Sequence, residues 1–106
     1  MHLYGIAYKA DVGDYRESPA IDIVRLLEDR GAVVSYTDPH VPVVDDHGVS
    51  MTGLAEADAL AAGVDCAVIV TNHRAFDYDA LVRTAPLIVD TRNALKGRSE
   101  PHIFRL

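Results

Sequence analysis

Apolar residues recur along this chain in two rhythms. Leu3 to Ala7, Val33 to Thr37, Cys66 to Thr71 and Leu87 to Thr91 are short, nearly continuous apolar runs, as in strands buried on both faces. Pro19 to Arg30 has a helical period instead: Ala20, Ile23, Val24 and Leu27 fall on one stripe, with Asp22, Arg25 and Asp29 opposite. Ser18 before Pro19 predicts an N-cap with proline at the first helical position, and Gly31 predicts a left-handed C-terminal cap. A second helix is predicted from about Leu54 to Ala62, followed by Gly63, and a third from Tyr78 to Thr84, stopped by Pro86. Asp38 to Ser50, with Pro39, Pro42 and Gly48, reads as a loop or irregular crossover with a short extra strand near Val49. Strands alternating with helices predict an α/β fold, a three-layer sandwich with a mainly parallel sheet of at least four strands.

That architecture gathers the polar residues. In open α/β sheets ligands bind at the carboxyl ends of the strands. Tyr8, Lys9 and Arg16 follow the first strand, Asp38 and His40 the second, Asn72, His73 and Arg74 the third, and Arg92 and Asn93 the fourth. If the strands are parallel, all of them share one edge. The connection between the first strand and the first helix, within AYKADVGDYRESPA at residues 7–20, is long for a βα loop and carries both Lys9 and Arg16.

Composition sharpens this reading. A chain of 106 residues with 49% hydrophobic content is expected to be one domain, residues 1–106, with a single core. A formal net charge of −6 argues against nucleic acid as a partner, so an anionic ligand must be held by a local cluster of cations. No apolar run is long enough to span a membrane, and no signal-peptide pattern is visible. Cys66 is the only cysteine; it reads as a core thiol and fits a cytoplasmic setting. His40 and His47 with Asp45 and Asp46 have no recognised metal-ligand spacing, and His2 carries little signal. Lys9 and Arg16 read either as anion ligands or as members of a salt-bridged loop with Asp11, Asp14 and Glu17. Arg92 is the stronger candidate, because it ends an apolar strand where packing asks for no guanidinium.

Asp38 closes the second strand, where a dinucleotide-binding unit keeps its ribose acid, yet no G-x-G-x-x-G follows the first strand. Asp38-Pro39 is therefore read as a turn opener, and the fold as Rossmann-like without a self-sufficient dinucleotide site.

The segments AYKADVGDYRESPAIDIVRLLEDRGAVVSYTDPHVP (7–42), TNHRAF (71–76) and IVDTRNALKG (88–97) together resemble the C-terminal domain of the UDP-glucose/GDP-mannose dehydrogenase family. Lys9 with Asp11, Asp14, Arg16 and Ser18, and then Asp90-x-Arg92, carry most of the likeness. YKAD and DTRN are more similar to the UDP-N-acetylhexosamine 6-dehydrogenases than to the UDP-glucose enzymes. The resemblance implies part of an NAD-dependent, homo-oligomeric enzyme that oxidises the sugar C6 alcohol of a UDP-sugar to a carboxylate. It implies Tyr8, Lys9 and Arg92 as contacts to the nucleotide sugar and Arg16 as a contact to NAD across a cleft. NAD itself is then held mainly by an N-terminal domain outside this chain, joined through a central one. The family's nucleophilic cysteine lies upstream, so no catalytic residue is expected here and the isolated domain is expected to be inactive. Met1-His2 directly before a strand suggests a domain excised from a longer protein. Two rivals stay open: a free-standing nucleotide-binding regulatory module, and an interaction domain whose ancestral site has decayed.

Overall fold

A computed structural model describes residues 1–7, 18–46 and 48–105 of the chain. Its elements run β1 (His2–Tyr4), α1 (Pro19–Asp29), β2 (Ser35–Thr37), β3 (Val43–Asp46), β4 (Val49–Thr52), α2 (Glu56–Ala62), β5 (Ala67–Ile69), α3 (Tyr78–Thr84), β6 (Ile88–Asp90) and β7 (Ile103–Arg105). Five strands form one sheet in the order β2-β1-β5-β6-β7, and every neighbouring pair is parallel. The α/β Rossmann-like architecture is thus the observed one, with β7 as a fifth strand at the edge.

The three layers follow from strand alternation. Leu3, Tyr36 and Val68 face one side, where Ala20, Ile21 and Val24 of α1 and Val44 and Val49 of the β3–β4 pair complete a buried cluster. Tyr4, Ala67, Ile69, Ile88 and Ile103 face the other side, against Leu81 and Val82 of α3. Full burial of each of these valine, leucine and isoleucine side chains contributes roughly 1.5–3 kcal/mol.

The ends of α1 are those anticipated, whereas α2 begins at Glu56, two residues later than the predicted start near Leu54. The Ser18 hydroxyl accepts from the Ala20 amide at 3.1 Å, and Pro19 occupies the first helical position. At the other end the Gly31 amide donates to the Glu28 carbonyl at 2.9 Å and the Ala32 amide to the Leu27 carbonyl at 3.0 Å, a Schellman closure around Gly31 at φ +88°. The α3 N-cap is Asp77, whose carboxylate accepts from the Ala80 amide at 3.1 Å while its own amide donates to Glu56 Oε2 at 2.7 Å. That second bond ties the start of α2 to the start of α3.

Two expectations are corrected. The stretch from Asp38 to Ser50 is not simply a loop or crossover: β3 and β4 form an antiparallel hairpin that lays Val44 and Val49 on the core. The first strand stops at Tyr4 rather than running to Ala7, because Gly5 turns at φ +94° and the next two amides leave the ladder for a side chain.

Candidate functional site

The chain passes from β1 through α1 to β2, on one flank of β1, while β5 lies on its other flank. The strand order therefore reverses between β1 and β5, the place where open α/β sheets form a crevice at the carboxyl edge. Backbone and side chains close this junction tightly. A Cβ on Gly5 would lie 2.5 Å from Thr71 Cβ, so the two strand ends approach as closely as glycine allows. The Thr71 hydroxyl donates to the Ala7 carbonyl at 2.7 Å.

Asp38 sits beside this junction, and its role exceeds that of a turn opener. One oxygen, Oδ1, accepts from the His40 amide at 2.8 Å, which is the turn. The other, Oδ2, accepts from the Ile6 amide at 2.8 Å, the Ala7 amide at 3.0 Å and His73 Nε2 at 2.8 Å. The side chains of Asp38 and His73 are fully buried. Because a carboxylate only accepts, Nε2 must be the protonated nitrogen of His73. His73 is thus turned inward and bound to the carboxylate, while Asn72 and Arg74 on either side of it are exposed.

At the next strand end Asp90 is also fully buried, and its oxygens accept from the amides of Arg92 at 3.0 Å, Ala94 at 3.1 Å and Leu95 at 2.9 Å. This folds the DTRN segment into a tight turn, with Asn93 at φ +58°, and leaves the Arg92 side chain exposed. The Thr91 hydroxyl donates to the Ile69 carbonyl at 2.7 Å, fastening that turn to β5. Asn72 and Arg92 therefore leave adjacent parallel strands on the same edge, as expected. Among the described residues no carboxylate forms an ion pair with Arg92. Tyr8, Lys9 and Arg16, like His47, lie outside the described residues.

A pocket of about 250 Å³ opens at the end of β2, lined by Thr37, Asp38, Pro39, Leu54, Ala55, Glu56, Ala75 and Phe76. The Tyr4 ring packs edge-on against Phe76 of this lining, and burial, with the Glu56 carboxylate adding to it, pushes its phenol up to about 12. Arg92 does not line this pocket.

His2 and Cys66 are remote from the edge. His2 is fully buried, with Nδ1 2.6 Å from Ser35 Oγ and Nε2 2.7 Å from Thr37 Oγ1, and burial followed by the N-terminal ammonium lowers it to about 4. Cys66 is a buried core thiol, and burial raises its pKa. Among the described residues no cluster of three or more His, Cys, Asp or Glu is placed to hold a metal, and no helix is long and apolar enough to cross a membrane.

A parallel sheet whose strand order reverses at a crevice on its carboxyl edge defines a Rossmann-like α/β domain. The chain belongs to the UDP-glucose/GDP-mannose dehydrogenase family, matching that family's UDP binding domain over residues 2–97. It is 32% identical over 102 residues to a UDP-N-acetyl-D-mannosamine dehydrogenase of Methanococcus maripaludis, covering 89% of this chain and 22% of that protein. It is 35% identical over 120 residues to a UDP-glucose 6-dehydrogenase of Rhizobium meliloti, covering 95% of this chain and 25% of the relative. The solved UDP-N-acetyl-mannosamine dehydrogenase Cap5O of Staphylococcus aureus superposes with a TM-score of 0.72 at 27% identity, over 98% of this chain and 25% of that one. The chain thus spans about a quarter of the length of these proteins.

Family membership raises the question of NAD: Asp38, at the position where a dinucleotide-binding unit keeps its ribose acid, already accepts from three protein donors at Oδ2 and from the His40 amide at Oδ1.

Proposed function

We propose that this chain is the substrate-nucleotide domain of a longer, NAD-dependent nucleotide-sugar 6-dehydrogenase that oxidises the C6 alcohol of a UDP-sugar to the uronic acid. The observation that carries the reading is the carboxyl edge: Asp90 shapes a turn that leaves Arg92 exposed and, among the described residues, without a carboxylate partner, beside the junction from which Tyr8 and Lys9 follow in sequence. The names of the relatives, all acting on nucleotide sugars, support the substrate class.

In this reading Lys9 and Arg92 neutralise the diphosphate through charge-assisted hydrogen bonds, and Tyr8 packs against sugar or base. Binding of the remote nucleotide orients the reacting alcohol for chemistry performed by groups outside this chain. Arg16 is the one residue here assigned to NAD, which is otherwise held by the N-terminal domain, and homo-oligomerisation belongs to the full enzyme. The isolated chain binds substrate nucleotide without turnover.

Calorimetric titration with UDP and with NAD tests the assignment: UDP should bind measurably and NAD should not. Lys9→Ala and Arg92→Ala should each weaken UDP binding about ten- to hundredfold, from contacts of roughly 1.5–3 kcal/mol each. Tighter binding of NAD than of UDP, or variants within about twofold of the parent, would refute it.

A further inference from the structure

The backbone of Ala7 is gripped from both sides. Its amide and that of Ile6 donate to Asp38 Oδ2, and its carbonyl accepts from Thr71 Oγ1 at 2.7 Å and from Ser18 Oγ at 3.4 Å. Asp38 stands at the exit of β2, Thr71 and His73 at the exit of β5, and Ser18 caps α1, so three separate elements converge on the backbone of one residue. Ser18, Asp38, Thr71 and His73 are all buried. A chain end that needed only to be covered would not require this. An apolar contact would serve at less cost than a buried carboxylate, which is tolerated only when its lone pairs are met by donors. Here four donors meet it, and two of them are the last amides before residue 8. His73 completes the set at 2.8 Å, on the same oxygen that meets both amides.

We propose that Asp38, His73 and Thr71 are positioning residues for nucleotide binding: they set the direction in which the backbone leaves the sheet at Ala7, and so govern the contacts made by the side chains that follow. The inference rests on the nucleotide reading given above for its effect on affinity, and on geometry alone for its effect on the backbone. None of the three residues touches the nucleotide. Their contribution passes through Ile6 and Ala7, which distinguishes them from Arg92, whose turn is built separately by Asp90.

The experiment combines calorimetric UDP titration with amide hydrogen exchange on the folded chain carrying His73→Phe, Thr71→Val or His73→Gln, each with and without Lys9→Ala. In His73→Phe and Thr71→Val, exchange at Ile6 and Ala7 should accelerate by about tenfold or more, and UDP affinity should fall by about fivefold or more. In the Lys9→Ala background the same substitutions should change affinity by less than about twofold, because a positioning effect has no lysine left to act through. His73→Gln, whose carboxamide can still donate to Asp38, should restore affinity to within about twofold of the parent. Accelerated exchange with unchanged affinity, or losses fully additive with Lys9→Ala, would make the grip merely structural and overturn the proposal. Should His73→Phe fail to fold, Thr71→Val, which keeps the shape of threonine, decides the point at the Ala7 carbonyl. A parent chain that binds no UDP would sink the functional reading, whereas unaltered exchange at Ile6 and Ala7 in the variants would sink this inference whatever the affinity.

Discussion

Asp38 and Asp90 each end a buried strand, and each directs its oxygens at backbone amides a few residues away or on a neighbouring strand end. Replacing a surface charge at such a position is cheap, but here the carboxylates organise the very edge where ligands are expected. His2 illustrates the same rule with a titratable ring. One ring nitrogen donates to a hydroxyl of β2 and the other accepts from one, so the neutral ring is satisfied without a charge. An unfolded His2 takes up its proton near pH 6.5, whereas the folded one does so only near 4. Between these values the unfolded chain binds more protons, so folding weakens as pH falls through that window and the penalty is complete below it. Comparing urea unfolding of the parent and His2→Gln at several pH values should show the parent losing up to about 3 kcal/mol relative to the variant between pH 6.5 and 4. Parallel pH curves for the two proteins would show that His2 does not titrate this way. Arg92 was legible in the sequence because a cation closing an apolar run has no packing purpose. His2 was not, since a single polar residue beside an N-terminus gives no period to read, and the partners that explain it lie 33 and 35 residues away.

At the level of elements, the junction of β1 with β5 depends on one residue having no side chain. Gly5→Ala combines a left-handed backbone with Cβ contacts of 2.5 Å to Thr71 Cβ and 2.7 Å to its amide nitrogen, against atoms that cannot swing aside. A loss on the order of 3 kcal/mol is expected. Gly31→Ala, also at positive φ but with open space around it, should cost only about 1 kcal/mol. Denaturant unfolding of both variants measures the contrast, and equal losses would mean that the close approach to Thr71 carries no energy. The helices and four of the parallel strands were readable from period, caps and breakers. Of the β3–β4 hairpin only the short strand near Val49 was readable, because Pro39, Pro42 and Gly48 outweigh two four-residue strands in which Val44 and Val49 are buried while Val43 is exposed. β7 escaped for a related reason: three residues with Phe104 and Arg105 exposed form an edge strand too short to show a rhythm.

For the molecule as a whole, a ligand that binds only the folded state must raise its stability by mass action. At about a hundred times its dissociation constant UDP should add about 2.7 kcal/mol, a rise of roughly 10–20 °C in Tm for a chain of this size. Thermal scans should show that rise with UDP and little with NAD at the same concentration; equal shifts would count against the assignment. The candidate site was legible in outline only: parallel strands forecast a shared edge, and Asn72 and Arg92 do share one, whereas the inward commitment of His73 and Asp38 depends on a pairing 35 residues apart that no local pattern announces. The strand order also shapes how the protein is made. β1 pairs with β2 through His2 and Ser35, but its other flank waits for Ala67, 65 residues later in the chain. At a synthesis rate of about 5–20 residues per second, that central strand spends roughly 3–13 s with its hydrogen-bonding edge bare as the ribosome proceeds, the interval in which a chaperone or a neighbouring nascent chain can reach it first.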